Sequence, residues 1–424
     1  MNSSLKGVDA NWVAYVGPID FPEGGAAARR VLGVSQSLVL AGYKVTVVSG
    51  YLSARAVEGE ATAIQPGIES VQINERSAEH LPKLLKFIKY FTMGRRSRDW
   101  LERQDCWPKA IIIYSGYSPY LLSFTGWAKK RGIKMIFDAV EWYAAESRLG
   151  FWMSPYLINT EFAMRYLVPK ADGVICISSA LQHYYQAKKR PTVRIPPTLT
   201  LYEPTSTLDQ LNRPKLGSGP IKLFYAGSPG KKDRLDKIAI AVAQVNKLRG
   251  KQEDLENLTV PQREIELHII GLNQLEFNAY MEQSPESQKW YAVGGATAKI
   301  ICHGRITHAE VSELLKQAHF TIFVRERNRV SEFGFPTKYV ESMSLGCPVI
   351  TNLTSDLGLY HSVETGVVVE NTDLEEIQRC IFAVASLTES SYGEMQTHAW
   401  QVAVNNFDIT IYANELKQFI EAQY

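Results

Sequence analysis

Residues 12–48 read WVAYVGPIDFPEGGAAARRVLGVSQSLVLAGYKVTVV. The apolar run 12–16 stops at Gly17-Pro18, a glycine-rich loop follows, and residues 27–40 carry apolar side chains at helical spacing. Gly42 ends that helix, and KVTVV at 44–48 is a β-branched run of buried-strand type. Strand, loop, helix, strand is the crossover that parallel pairing requires. Apolar runs recur at 110–114 (AIIIY), 134–137 (KMIF) and 173–177 (GVICI), each followed by a segment long enough for a helix. They are continuous rather than alternating, as in parallel strands covered on both faces. Residues 1–200 therefore read as one doubly wound, Rossmann-like α/β domain.

Around 194–197 (RIPP) and 203–220 the composition shifts to proline, Ser/Thr and a Gly-Ser-Gly-Pro run, which places a domain boundary there. A second series of the same kind opens with IKLFY at 221–225, a glycine loop at 226–230 and a helix over about 235–248. Further strands are expected at 266–270, 300–302, 321–324, 349–351 and 367–369. The fold class is thus α/β, two Rossmann-like doubly wound domains in series, the second spanning 201–405. Residues 406–424 form a C-terminal helix, amphipathic over 412–424, that is expected to pack back toward the N-terminal domain.

The chain has 424 residues, 45% hydrophobic and 21% charged, with 46 Lys+Arg against 44 Asp+Glu. That balance excludes a disordered chain and a small peptide module, and a net charge of +2 argues against a dedicated nucleic-acid binder. The five cysteines are scattered without a CxxC pair, which argues against a disulfide framework or a zinc site and points to a reducing cytosol. The start, MNSSLKGVDANW, has no apolar run of signal-peptide type, and no stretch of 18 or more apolar residues follows. His183, His268, His303 and His308 lack ligand spacing, so no metal is expected.

The densest segment for chemistry is 320–352, FTIFVRERNRVSEFGFPTKYVESMSLGCPVITN. It reads strand, basic loop, Gly-Phe-Pro turn, short helix, Gly346 stop, strand. The helix start offers N–H groups and partial positive charge, and Arg325, Arg327, Arg329 and Lys338 flank it. An anion such as a diphosphate fits that setting. Thr337 and Glu341 are four apart on one helix face, so Glu341 is placed to accept hydrogen bonds from a sugar's vicinal hydroxyls. A solvated basic loop with Glu341 paired to Lys338 is the competing account. The second cluster is YAGSPGKKDRLD at 225–236: Gly227 lets backbone approach a phosphate, and Lys231 or Lys232 adds a mobile charge. It is not a P-loop, since Asp233 follows Lys232, and FPEGGAAARR is not a dinucleotide fingerprint. Asp138 and Glu141 follow a strand directly, at the carboxyl end where α/β folds place ligands. Either one orients an acceptor hydroxyl, or Asp138 caps the next segment and Glu141 pairs on the surface. Residues 81–100, LPKLLKFIKYFTMGRRSRDW, carry six basic residues and an apolar stripe, which fits either an anionic membrane surface or an ordinary helix with a wet lysine face.

Taken in order, FPEGGAAAR, FDAVEWY, ADGVICISSAL, the IPP hinge, FYAGSPGKKD, HGRITHAEV and GFPTKYVESMSLGCPVIT make the chain resemble the family-four glycosyltransferases of the GT-B fold, in particular bacterial enzymes of surface-polysaccharide synthesis. The resemblance spans nearly the whole length. It implies a nucleoside diphosphate-sugar donor in a cleft between the two domains, no metal or other cofactor, retention of anomeric configuration, and a glycan or lipid-linked glycan acceptor at the inner face of the cell membrane. It puts Lys232 on the donor diphosphate and Glu341 on the nucleotide ribose, and matches Gly25 to the glycine whose N–H approaches the phosphate. The family's arginine after the strand glycine is replaced by Ser228, so Arg325, Arg327 or Arg329 supplies the second charge. Phe333 stands where the family has its first glutamate, one residue from Glu332, a candidate to contact the donor sugar beside Gly334. These departures keep two other accounts open, a sugar-nucleotide epimerase of the same architecture and a catalytically decayed nucleotide-sugar-binding scaffold.

Overall fold

The computed structural model describes residues 6–54, 56–75, 82, 90–115, 118–144, 154–201, 213–227, 229–230, 233–249, 263–295 and 298–424. It divides into two units, one of Met1–Thr200, Phe333–Phe335 and Asp408–Tyr424, the other of Leu201–Glu332 and Pro336–Phe407.

The first unit runs β1 (Val8–Gly17), α1 (Ala26–Leu40), β2 (Lys44–Ser49), β3 (Ala61–Gln65), β4 (Ile68–Gln72), α2 (Arg95–Glu102), β5 (Trp107–Tyr114), α3 (Ser118–Lys130), β6 (Lys134–Ala139), α4 (Pro155–Phe162), β7 (Gly173–Cys176), α5 (Ser179–Ala187) and β8 (Thr192–Arg194). The strand order is β3-β4-β2-β1-β5-β6-β7-β8, and only β3 is antiparallel to its neighbour. The continuous apolar runs are the buried central strands, as the missing alternation implies: Val13 to Val16 and Ile111 to Ile113 are wholly buried. The β3–β4 pair was not foreseen, because β3 (ATAIQ) is half-exposed or exposed along its length and has no buried face to impose a pattern on its sequence. β8 is a three-residue edge strand, equally silent in sequence.

The second unit runs β9 (Ile221–Ala226), α6 (Leu235–Arg249), β10 (Ile265–Ile270), α7 (Gln274–Gln283), α8 (Ser287–Val293), β11 (Ile300–Gly304), α9 (His308–Lys316), β12 (Phe320–Phe323), α10 (Arg329–Phe333), α11 (Thr337–Ser344), β13 (Val349–Thr351), β14 (Gly366–Val368), α12 (Leu374–Ala385) and α13 (Glu389–Phe407). Its sheet is parallel in the order β11-β10-β9-β12-β13-β14.

The last helix, α14 (Ile409–Glu421), is capped by Asp408, whose carboxylate accepts from Thr410 N at 2.9 Å. It belongs to the first unit, where Tyr412, Leu416, Phe419 and Ile420 join the core formed by α1 and β1. Ser37 of α1 donates to the Ile409 carbonyl at 2.9 Å.

Candidate active site

In a doubly wound sheet the ligand crevice opens beyond the strand C-termini where the order reverses. In the second unit that point lies between β9 and β12, which pair at Phe320↔Leu223 and Thr321↔Phe224. The loops leaving these two strands are locked to one another. Asp233 and Arg325 form an isolated antiparallel bridge, and Arg234 N donates to the Val324 carbonyl at 2.8 Å. The side chains pair in the same sense: Asp233 with Arg325 at 3.1 Å, Arg234 with Glu326 at 2.6 Å. Asn352, just past β13, closes the loop from the other side by accepting from Arg325 N (2.9 Å) and donating to its carbonyl (2.8 Å).

Above these loops stands the start of α11. Pro336 is its N-cap, and that residue's own side chain makes no capping hydrogen bond. Its first-turn N–H groups and partial positive charge face the loop. Thr337 and Lys338 open the helix, and Glu341, half-buried, follows Thr337 by one turn. Lys338 Nζ lies 3.0 Å from Asp233 Oδ2 and 4.3 Å from the centre of the Tyr225 ring. Gly227, in the left-handed region at φ 126°, begins the loop after β9, its N–H donating to Ile270 O at 2.9 Å.

Of the residues singled out from sequence, Gly227, Arg325, Lys338 and Thr337 gather at this end of the sheet. Arg325 is the first correction. It is buried at 6% exposure and its Nε pairs with Asp233, so it anchors the loop. Arg327 is exposed and donates to the Leu353 carbonyl at 2.6 Å, and Arg329 begins α10. Glu332 sits on α10; its Oε1 is shielded from solvent and accepts no hydrogen bond among the described residues. Gly334 is buried and grouped with the first unit. Lys231, Lys232 and Ser228 lie outside the described residues, as do 81 and 83–89 of the basic stretch.

In the first unit, Gly25 is the N-cap of α1, with no atom within 4 Å of where a Cβ would stand. The steric demand falls on Gly24 instead, whose Cβ would lie 2.1 Å from the Asp20 carbonyl oxygen. Asp138 is the second correction. It is fully buried, and its carboxylate takes Arg30 Nη2 at 2.9 Å, Arg30 Nε at 3.2 Å and the Tyr15 hydroxyl. Arg30 goes on to the carbonyls of Ile195 (2.6 Å) and Pro196 (2.8 Å) in the IPP segment. Burial and the Asp138 charge push the Tyr15 hydroxyl far above its ordinary value, which keeps it a neutral donor. No acceptor hydroxyl is needed to explain this carboxylate. Glu141 is half-buried beside Tyr143, whose hydroxyl is pushed up by burial and by Glu141 itself.

The histidines are not all apart in space. His268 of β10 and His303 of β11 meet at 3.0 Å between ring nitrogens and stack with Phe224, and burial lowers both below the ordinary histidine value. Among the described residues no group of three or more His, Cys, Asp or Glu is arranged to hold a metal ion, and no helix is long and apolar enough to cross a membrane.

Two α/β sheets in series make the fold a GT-B architecture, with cations and the start of α11 at the switch point of the second sheet. Solved structures of that kind match the whole chain. Sucrose-phosphate synthase (tll1590) from Thermosynechococcus elongatus superposes with a TM-score of 0.68 at 15% identity, covering 98% of this chain and 100% of that one. Anabaena Alr3699/HepE in complex with UDP-glucose gives 0.59 at 12% identity, over 97% and 99%. The lipopolysaccharide outer core galactosyltransferase WaaB gives 0.61 at 14% identity, over 97% and 100%. No curated protein sequence matches. Two family models do, a glycosyl transferase 4-like domain over residues 25–198 and glycosyl transferases group 1 over 220–386. The chain belongs to the family-four glycosyltransferases.

Proposed function

We propose that the protein moves a sugar, with retention of configuration, from a nucleoside diphosphate-sugar to a glycan or lipid-linked glycan of a surface polysaccharide. The observation that carries this reading is the meeting of Lys338, the Gly227 loop and the start of α11 at the β9/β12 switch point. A departing diphosphate needs positive charge held in place beforehand, and Lys338 with the start of α11 is assigned that part. Lys232 and Lys231 are assigned to the same diphosphate. Glu341, one helical turn in, is assigned to the ribose, and Glu332, with its shielded acceptor oxygen, to the donor sugar. In the first unit, Gly25 is assigned to the phosphate side and Glu141 to the acceptor side. That Alr3699/HepE was solved with UDP-glucose and WaaB is a galactosyltransferase supports a hexose on a nucleotide carrier. The basic stretch at 81–100 is assigned to an anionic membrane face on the cytoplasmic side, where lipid-linked acceptors lie. Neither an epimerase nor a decayed scaffold is favoured, since both family models are those of glycosyl transferases.

The test is binding and slow hydrolysis across UDP-, GDP- and dTDP-sugars for the wild type, Lys232→Ala and Glu341→Ala. One donor binding to the wild type, with both substitutions weakening it about tenfold or more, supports the reading. Binding unchanged in both variants, or absent for every donor, overturns it.

A further inference from the structure

Asp233 was not among the residues the sequence singled out, yet the second unit converges on it. It is 5% exposed. Its Oδ1 accepts from Arg325 Nε at 3.1 Å, and its Oδ2 from the Tyr225 hydroxyl at 2.6 Å and from Lys338 Nζ at 3.0 Å. Burial pushes the carboxyl up, but Lys338, Arg325 and the Tyr225 hydroxyl outweigh it and hold the group well below the usual carboxylate range. Two cations against one anion leave the cluster with a net positive charge.

The location matters as much as the charge. A lysine ammonium rides on a long flexible stem, and left alone it samples many rotamers. Here the Asp233 carboxylate on one side and the Tyr225 ring face on the other fix it. The fixed ammonium stands 3.6 Å from where a Cβ on Gly227 would be. Gly227 opens the loop at the C-terminal end of β9, and its φ of 126° is a conformation that side chains rarely adopt, so position 227 itself puts no side chain beside the ammonium. Arg325 does different work: its Nε goes to Asp233 and its backbone to Asn352, which holds Asp233 in turn.

We propose that Asp233 is a positioning residue for donor recognition, holding the Lys338 ammonium beside Gly227 so that it meets the diphosphate of a nucleoside diphosphate donor. The proposal rests on the donor reading above and adds to it the group that aims the charge. Asp233 itself, being anionic and buried, does not touch the diphosphate.

The experiment measures dissociation constants of UDP, GDP and dTDP, with UMP, GMP and dTMP alongside, for the wild type, Asp233→Asn, Asp233→Glu, Lys338→Met and the Asp233→Asn/Lys338→Met double variant. Unfolding midpoints are recorded for each. Lys338→Met keeps the Asp233–Arg325 pair and tests the charge even where Asp233→Asn folds poorly. The expected result is a roughly 10- to 100-fold loss of diphosphate affinity in Asp233→Asn and in Lys338→Met, with monophosphate affinity changed less than about threefold. The double variant is expected to be no more than about twofold worse than Lys338→Met alone, because Asp233 acts through Lys338. Asp233→Glu, which keeps the charge, is expected to recover part of the loss. A role in folding alone predicts equal losses for mono- and diphosphates and additive effects, and that pattern overturns the proposal while leaving the donor reading intact. If the wild type binds none of the three diphosphates, the donor reading fails and the proposal with it.

Discussion

Replacing Asp138 separates a structural carboxylate from a catalytic one. Its two oxygens take two N–H groups of Arg30 and the Tyr15 hydroxyl, and Arg30 and Asp138 are 3% and 0% exposed. Asp138→Asn keeps the shape and removes the charge, so the Arg30 guanidinium is left buried with two carbonyls, those of Ile195 and Pro196, and no anion. Breaking one partner of a buried pair in this way costs about 3–5 kcal/mol. In a unit of roughly two hundred residues, each kcal/mol moves the midpoint by about 2–4 °C, so a fall of roughly 6–20 °C is expected. Thermal unfolding followed by near-ultraviolet circular dichroism reads it. The double variant Arg30→Met/Asp138→Leu is expected to lose less than the two single changes summed, by about 2 kcal/mol or more, since no stranded charge remains. Donor turnover per folded molecule, measured well below the midpoint, is expected to change less than about threefold. A midpoint within about a degree of wild type together with abolished turnover would refute the reasoning and return Asp138 to the acceptor.

Two further outcomes follow from the same structure. Burial pushes His361 down to about 4, against an ordinary value near 6.5. The neutral ring therefore contributes fully above pH ~6.5, and stability is lost as pH falls toward 4, by up to about 3 kcal/mol. His361→Gln should accordingly destabilise the protein more at pH 7.5 than at pH 4.5 in urea titrations, and an equal effect at both would count against the buried neutral ring. Removal of 408–424 strips Tyr412, Leu416, Phe419 and Ile420 from the first core, each worth roughly 1.5–3 kcal/mol. That approaches the net stability of a whole domain, so hydrogen exchange should show β1 and α1 unprotected in the truncated chain; protection equal to wild type would refute the packing of α14.

The parallel sheets were legible because their central strands are buried on both faces, which turns AIIIY and KVTVV into uninterrupted apolar runs. β3 was not, since an edge strand exposed or half-exposed along its length carries no such constraint, and β8 has only three residues to carry a pattern. The site was half legible. Gly227, Thr337, Lys338 and Glu341 sit in local patterns that a strand-to-helix loop or a helix start explains. Asp233 was invisible, because its meaning lies in Arg325 and Lys338, 92 and 105 residues further along. Asp138 misled for the same reason: a carboxylate at a strand end looks available until Arg30, 108 residues earlier, is brought to it. The His268–His303 contact likewise needs β10 and β11 aligned before it exists.

The most direct test of the central claim is transfer itself: the full-length protein is given a labelled nucleoside diphosphate-sugar and a membrane extract containing lipid-linked glycans, and products are followed in time. The account predicts labelled glycan and free nucleoside diphosphate appearing in equal amounts, with Glu341→Ala and Lys338→Met both slowed. Label remaining on the nucleotide as a different sugar, or no product from any donor tried, would contradict it.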